Sequence, residues 1–308
     1  MSLSEVALQQ LINGLILGSF YALIALGYSM VYGIIKLLNF AHGDIYMTGA
    51  FACLSVFGVL SVIIPGPGGI ICSIIAAMII AGILGYLAQR FAYRPLLGAP
   101  RLSLLITAIG VSLVIYNFIM VITNGKASYF ESGLDNSAGV HIGDIKITYI
   151  QIVLIAVSAL LMIGLTLFIG QTMTGKAMRA IALDQDTCRL MGINVNKIIG
   201  ITFIIGSALA AIAGGLACVY YGNVQYSMGY TMGIKAFTSA VIGGIGSIPG
   251  AMLGGLLLGL LEAVGTQFLT YLGLSGSAWK DVFAFGILIL ILILKPNGLL
   301  GKSEIERM

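Results

Sequence analysis

Nine apolar stretches recur along this chain, at about 11–35, 45–64, 69–89, 102–123, 149–170, 198–221, 234–248, 251–272 and 282–294. A helix needs about 20 apolar residues to cross the roughly 30 Å of hydrocarbon in a bilayer, and most of these runs have that length. They are continuous, not the alternating segments of about ten residues that mark a membrane barrel, so the spanning element is the α-helix. The composition agrees: 59% of the 308 residues are hydrophobic and 8% charged, with a mean hydropathy of +1.07. A soluble domain is roughly one quarter charged, so this chain has too little polar surface to hold such a core in water. The expected fold is an all-α polytopic membrane protein of eight or nine transmembrane helices; the seventh run is short and glycine-rich, which leaves the count open. A net charge of +4 with no basic block excludes nucleic acid as a partner. Cys53, Cys72, Cys188 and Cys218 form no CxxC pair, so neither a disulfide framework nor a metal centre is expected.

Orientation follows from Lys and Arg. Arg90, Arg94 and Arg101 flank one short loop, Lys176, Arg179, Arg189 and Lys197 another, and Lys295, Lys302 and Arg307 sit near the C-terminus. The positive-inside rule makes these segments cytoplasmic. The segment at about 124–148 balances Lys126 and Lys146 against Glu131, Asp135 and Asp144 and reads as the external loop; the segment at about 171–197 reads as a cytoplasmic loop. With Glu5 and no basic residue before Lys36, the start lacks the positive region of a cleavable leader, so the first run is expected to be a retained helix with its N-terminus outside. Nine crossings then place the tail inside, in a single permease domain over 1–308. An offset of 188 aligns Gly18, Ser19, Ala22, Ala25, Gly27 and Tyr32 with Gly206, Ser207, Ala210, Ala213, Gly215 and Tyr220. This faint internal repeat would be inverted, as in many transporters.

Polar groups inside spans are costly and therefore functional candidates. They are Asn13, the cluster Asn39, His42 and Asp44, then Asn117 and Glu262. In NFAHGDIYMTGAF, Asn39 or Asp44 can cap a helix start; alternatively the cluster lines a polar path, with proton transfer by His42 a third reading. Glu262 stands alone in LLLGLLEAVGTQF, to be paired with another helix, placed at the outer interface or in contact with substrate. Glycines four apart at Gly246, Gly250 and Gly254, and again at Gly255 and Gly259, predict close helix packing. Pro249 should break the helix there, so the segment is buried, as a helix seam or beside a path. The cytoplasmic stretch TGKAMRAIALDQDTCRLMGIN, from Thr174 to Asn194, reads as two short helices. Thr174 caps the first, Ala177, Ile181 and Ala182 form its apolar face, Asp184 or Asp186 caps the second, and Gly192 stops it. Mixed charge and alanine in place of large anchors favour docking to a soluble partner over lying in headgroups.

This loop, with NFAHGDIYMTGAF, RPLLGAPRLSLLITAIGVSL and GGIGSIPGAMLGG, resembles the permease subunits of branched-chain amino-acid ABC importers, and in its NFAHG form the LivH type more than the LivM type. The resemblance implies an ABC importer permease fold, a homologous second permease (LivM-like), two ATP-hydrolysing subunits, an extracytoplasmic substrate-binding protein and the cytoplasmic (inner) membrane of a bacterium or archaeon. It implies that Gly175, Arg179, Ala182, Asp184, Asp186 and Gly192 belong to the loop that seats on an ATPase. The family usually carries a basic residue just before the Gly–Lys/Arg–Ala start, where this chain has FIGQTMT; that weakens the electrostatic part of the contact.

The chain has no G-x-x-x-x-G-K-[ST] phosphate loop, so ATP energy has to come from partner subunits, and no cofactor is expected. Asn13, Asn39, His42 and Asp44 are the candidate path residues, and Gly246, Pro249, Gly250 and Gly254 the candidate packing residues. Permeases of this group also resemble those for urea or short amides, which are the alternative substrates. A stand-alone ion-coupled carrier needs a charged pair at mid-membrane, for which the sequence offers only Glu262. An intramembrane enzyme needs paired reactive groups that the sequence does not offer.

Overall fold

A computed structural model describes residues 3–36, 38–131, 133, 138–142 and 145–301. Asp135, Asp144, Lys302 and Arg307 lie outside the described residues. Among the described residues, seven helices are long and apolar enough to cross a membrane: α1 (Leu3–Ile35), α2 (His42–Leu60), α3 (Pro67–Leu87), α4 (Arg101–Ile122), α5 (Tyr149–Gln171), α8 (Val195–Tyr221) and α10 (Ile248–Tyr271). Between α5 and α8 lie the short α6 (Met173–Leu183) and α7 (Gln185–Leu190). The chain is a multi-pass α-helical membrane protein.

The expected count of eight or nine differs from seven because of two shorter helices. α9 (Met228–Gly243) has 16 residues and α11 (Lys280–Leu294) has 15, about 24 Å and about 22 Å at the α-helical rise, short of the roughly 30 Å core. The apolar run read at 234–248 is no single element. It covers the end of α9, a turn in which Gly244 and Gly246 adopt φ of 104° and 89°, and the start of α10. Pro249 does not break a helix midway. It is the second residue of α10, where its missing N–H costs nothing, and the Ser247 hydroxyl caps that start by accepting the Gly250 N–H at 3.2 Å. Nor is the chain wholly α: β1 (Ser128–Tyr129) pairs antiparallel with β4 (Asn223–Val224), and β2 (Gly139–Ile142) with β3 (Ile145–Thr148). These short ladders satisfy backbone groups where the chain leaves its helices.

The protein packs as two compact units. One takes its described residues from Met1–Ser29, Asn136–Ile163 and Lys235–Met308, the other from Met30–Asp135 and Gly164–Ile234. In the first, a Cβ on Gly14 would lie 2.8 Å from the Cα of Leu260, one on Gly18 equally close to Leu256, and one on Gly255 2.5 Å from Ala22. As the α1 number rises the α10 number falls, so the two helices run antiparallel with their backbones nearly touching. The other face of α10 meets α9: side chains at Gly250 or Gly254 would collide with the carbonyl oxygens of Gly243 and Ser239. Gly246 is not part of this stripe; it is a turn residue whose N–H donates to the Ser29 hydroxyl at 2.9 Å. Beneath the turn the chain end closes the unit. The N–H groups of Leu299 and Leu300 donate to the carbonyls of Ile242 and Gly243, each at 2.9 Å.

In the second unit α3 runs antiparallel to α8, with Gly85 against Ser207 and Gly215 against Ile74. α2 packs on α8 beside α3, where Gly49 meets the backbone of Ala211 and Gly214 that of Tyr46, and Gly215 touches Cys53 of α2 as well as Ile74. The 188-residue offset relates α1 to α8, and each of these packs antiparallel against the third helix of the other half: α1 against α10, α8 against α3. In lipid, helices gain little from burying apolar surface and associate through this kind of backbone approach. Gly255→Leu should therefore cost about 1–3 kcal/mol or more and lower the melting temperature of the detergent-solubilised protein. Gly164→Leu is the control, because a side chain there meets nothing within 4 Å, and it should leave the temperature unchanged.

Candidate functional site

Three polar constellations stand out, and the first lies where α1 gives way to α2. Lys36 takes a left-handed φ of 53° and ends α1. Asn39, buried at 2% exposure, does not cap α2: its Oδ1 accepts the Tyr93 hydroxyl at 2.7 Å, while its backbone carbonyl accepts the His42 N–H at 3.0 Å. Tyr93 closes a π-helical turn, Ala88–Tyr93, that follows α3; such turns occur frequently at functional sites. His42 and Asp44 are buried in the first turn of α2. Asp44 adds no side-chain cap there, but a carboxylate in a first turn suits the positive end of the helix. Its Oδ2 accepts the Ser112 hydroxyl from α4.

The first turn of α2 also abuts the first turn of α9. A Cβ on Gly43 would collide with the Gly229 carbonyl and lie 2.8 Å from the Cα of Gly233. One on Gly229 would lie 2.8 Å from the Gly43 carbonyl and 3.0 Å from Asp44 Oδ1. Only glycine on both sides permits this approach. Beside it Tyr116 and Tyr226 stack edge to face at 5.3 Å, both half-buried like Ser112. Asn13 has a different place: it lies in the first unit on α1, its Oδ1 3.5 Å from Gln9 Nε2. Asn117 is exposed and donates to the Leu113 carbonyl.

The second constellation corrects the expectation that Glu262 stands alone. Its side chain is fully buried and meets three donors: Tyr21 Oη at 2.9 Å, Lys235 Nζ at 2.9 Å and Lys280 Nζ at 3.0 Å. Lys235 bridges further to Asp281 Oδ1 at 2.8 Å. Two acids and two bases from α9, α10 and α11 thus balance, with a tyrosine of α1. Lys235 could have been found by the same rule that selected Glu262, since it interrupts an apolar run in TMGIKAFTSA.

The third is the cytoplasmic loop. Thr172, not Thr174, caps α6, its hydroxyl oxygen accepting the Gly175 N–H at 3.0 Å. Asp184 caps α7 through Oδ1, which accepts the N–H groups of Asp186 at 2.9 Å and Thr187 at 3.1 Å, while Oδ2 takes the Thr187 hydroxyl. The Thr187 hydroxyl first, and then these backbone groups, hold the Asp184 carboxyl below its usual range. The cap is therefore fully formed above the ordinary aspartate range and is lost only as pH falls through that lowered value. Gly192 ends the loop with φ of 80°. Met178, Ile181 and Cys188 are the buried face, joined to Val195 and Ile199 of α8; Ala177 and Ala182 are only half-buried. Arg179 donates to the Gly170 carbonyl at 3.2 Å, and Arg189 pairs with Asp186 at 3.0 Å in the open. Leu183 and Leu190 are 90% and 88% exposed. Gly170-x-x-x-x-Gly175-Lys176 approaches a phosphate loop but ends in Ala177 and lies on helices, with Gly175 packed against Ile169.

Residues 10–292 match the family model described as the permease component of the branched-chain amino acid transport system. The chain belongs to this family. It is 46% identical over 309 residues, 97% of each chain, to the high-affinity branched-chain amino acid transport system permease protein BraD of Pseudomonas aeruginosa. It is 42% identical over 307 residues, again 97% of each, to the corresponding permease protein LivH of Escherichia coli K12. To the permease protein LivM of the same organism it is 27% identical over 160 residues, 50% of this chain and 36% of that one. Proteins of this family are transport subunits rather than enzymes, and this chain is a permease subunit.

The Glu262 cluster yields a direct expectation. Glu262→Ala strips the acceptor from Tyr21, Lys235 and Lys280 together and leaves Lys235 buried beside a single exposed carboxylate. The loss should approach the about 3–5 kcal/mol of a broken buried pair, read as lower yield and melting temperature in detergent. The isosteric Glu262→Gln should lose less.

Proposed function

We propose that this permease carries leucine, isoleucine and valine across the cytoplasmic (inner) membrane of a bacterium or archaeon, driven by ATP hydrolysed on partner subunits. The observation that carries the reading is the 46% identity to BraD across nearly the full length of both chains. The working assembly is this chain, a homologous LivM-like second permease, two ATP-hydrolysing subunits and an extracytoplasmic binding protein that delivers the amino acid. Selectivity resides mostly in that binding protein, and the membrane path passes the solute on without holding it tightly.

The loop of α6 and α7 is the seat for an ATPase. It is a rigid pair of capped helices whose buried face is tied to α8, so a push on it is transmitted into a spanning helix. Its free face offers Leu183, Leu190 and Met191 to water, which is where an amphipathic element docks into a groove on a soluble partner. These anchors, with Asp186 and Arg189, make the contact, while Gly175, Arg179, Asp184 and Gly192 shape the loop itself. The first turn of α2, with His42 and Asp44, borders the path; Asn39 supports it through Tyr93.

Two measurements test this reading. In vesicles holding the full assembly, leucine-loaded binding protein should stimulate ATP hydrolysis and leucine uptake together; stimulation by urea or acetamide with no response to branched-chain amino acids overturns the substrate assignment. Separately, the double change Leu183→Asp and Leu190→Asp should release the ATPase from membranes, with at least a tenfold loss of co-purification. Full retention of the ATPase would remove the docking surface.

A further inference from the structure

We infer that Asp44 is the group in this chain that receives the ammonium end of the amino acid in transit. The inference rests on the transport reading above and adds to it a named atom and a chemistry. Asp44 is 4% exposed in a helix that spans the membrane, where an ionisable side chain is expensive and is kept for use. Other buried charges of the chain are neutralised: Glu262 by Lys235 and Lys280, Lys235 by Asp281 as well. Among the described residues no lysine or arginine forms an ion pair with Asp44. Its Oδ2 is occupied by the Ser112 hydroxyl, and Oδ1 receives no hydrogen bond from any described residue. The chain thus presents a carboxylate with one oxygen oriented by a hydroxyl and the other open.

The surroundings select for what comes to it. Oδ1 faces the first turn of α9, where Gly229 leaves out the side chain that would otherwise stand 3.0 Å away. Gly43 on the other side keeps the α2 turn equally bare. Two helix N-termini converge here; they stabilise the carboxylate as an anion without supplying a full positive charge. A small ammonium can supply that charge, and its remaining protons find oxygen acceptors in Ser112 Oγ and the hydroxyl of a nearby tyrosine, Tyr116 or Tyr226. The half-buried state of these three residues leaves a side open. A strip carrying an acid, a serine and two tyrosines is poorly suited to lipid, and it fits a wall of a solute path.

The test uses the full assembly in vesicles, with leucine-loaded binding protein outside. Asp44→Asn keeps the shape and the acceptor for Ser112 but removes the charge, and leucine uptake should fall at least tenfold; Asp44→Glu should retain a substantial part of it. Assembly and melting temperature of both variants are measured in parallel. If Asp44→Asn fails to assemble, Ser112→Ala takes its place and should lower uptake severalfold. A readout that a purely structural role would not move is photolabelling by a diazirine analogue of leucine. Wild-type protein should be labelled on peptides bearing Ser112 or Tyr226, and the Asp44→Asn protein should lose that label. Wild-type vesicles that import only urea or acetamide overturn the transport reading and this one with it. Wild-type vesicles that import leucine, alongside an assembled Asp44→Asn or Ser112→Ala protein that imports and labels equally well, overturn this one alone.

Discussion

Contact between bare backbones is what holds this protein together. Water-soluble helices associate because water expels their apolar faces, but lipid tails are as apolar as leucine and supply no such drive. What remains is dispersion between closely fitted surfaces and hydrogen bonds shielded from competition. The chain meets that requirement with small residues at each seam: Gly14, Gly18 and Gly255 between α1 and α10, Gly243, Gly250 and Gly254 between α9 and α10, Gly49 and Gly214 between α2 and α8. Forty-two glycines are therefore a framework and not a sign of flexibility. Most of them sit inside helices, where the conformational cost of glycine is repaid by proximity.

Against this dry, close-fitted background each polar group carries weight. The Glu262 cluster solves the problem of charge at depth by internal neutralisation. Asn39 and Tyr93 solve it by pairing neutral partners, one of them turned into place by a π-helical insertion. Asp44 solves it only halfway, with a hydroxyl and two helix ends. These three solutions differ in how much of each polar group's demand the protein itself meets.

Long apolar runs were legible because the bilayer imposes a length, and the mixed-charge loop because its capping residues follow local rules. Thr172 took the cap expected of Thr174 because the two threonines are two residues apart and only the tertiary fold decides which turn begins first. The start of α9 was passed over for a related reason: Ser227 stands just before Met228, but a lone serine ahead of an irregular apolar pattern is a weak signal, and the helix begins where Gly43 and Gly229 allow two backbones to meet. Lys235 was passed over because it sits among alanines and threonines, where a single cation looks like the edge of a run. Its role depends on Glu262, 27 positions later in sequence. Gly246 shared the four-residue spacing of the packing glycines, yet its positive φ belongs to a turn. Periodicity cannot tell a stripe from a coincidence at the end of a helix.

The residues at 297–301 illustrate how far the demand for satisfied backbone reaches. The last carbonyls of a helix have no partner within it, and those of α9 end beside a tight turn with no polar side chain to take them. Leu299 and Leu300 supply the missing donors from the far end of the polypeptide, and Gly244 and Gly301 make room for the strand to come that close. Leu299 and Leu300 thus form a lid on an open helix end. Without that lid, two carbonyl oxygens at the foot of α9 would be left without these donors.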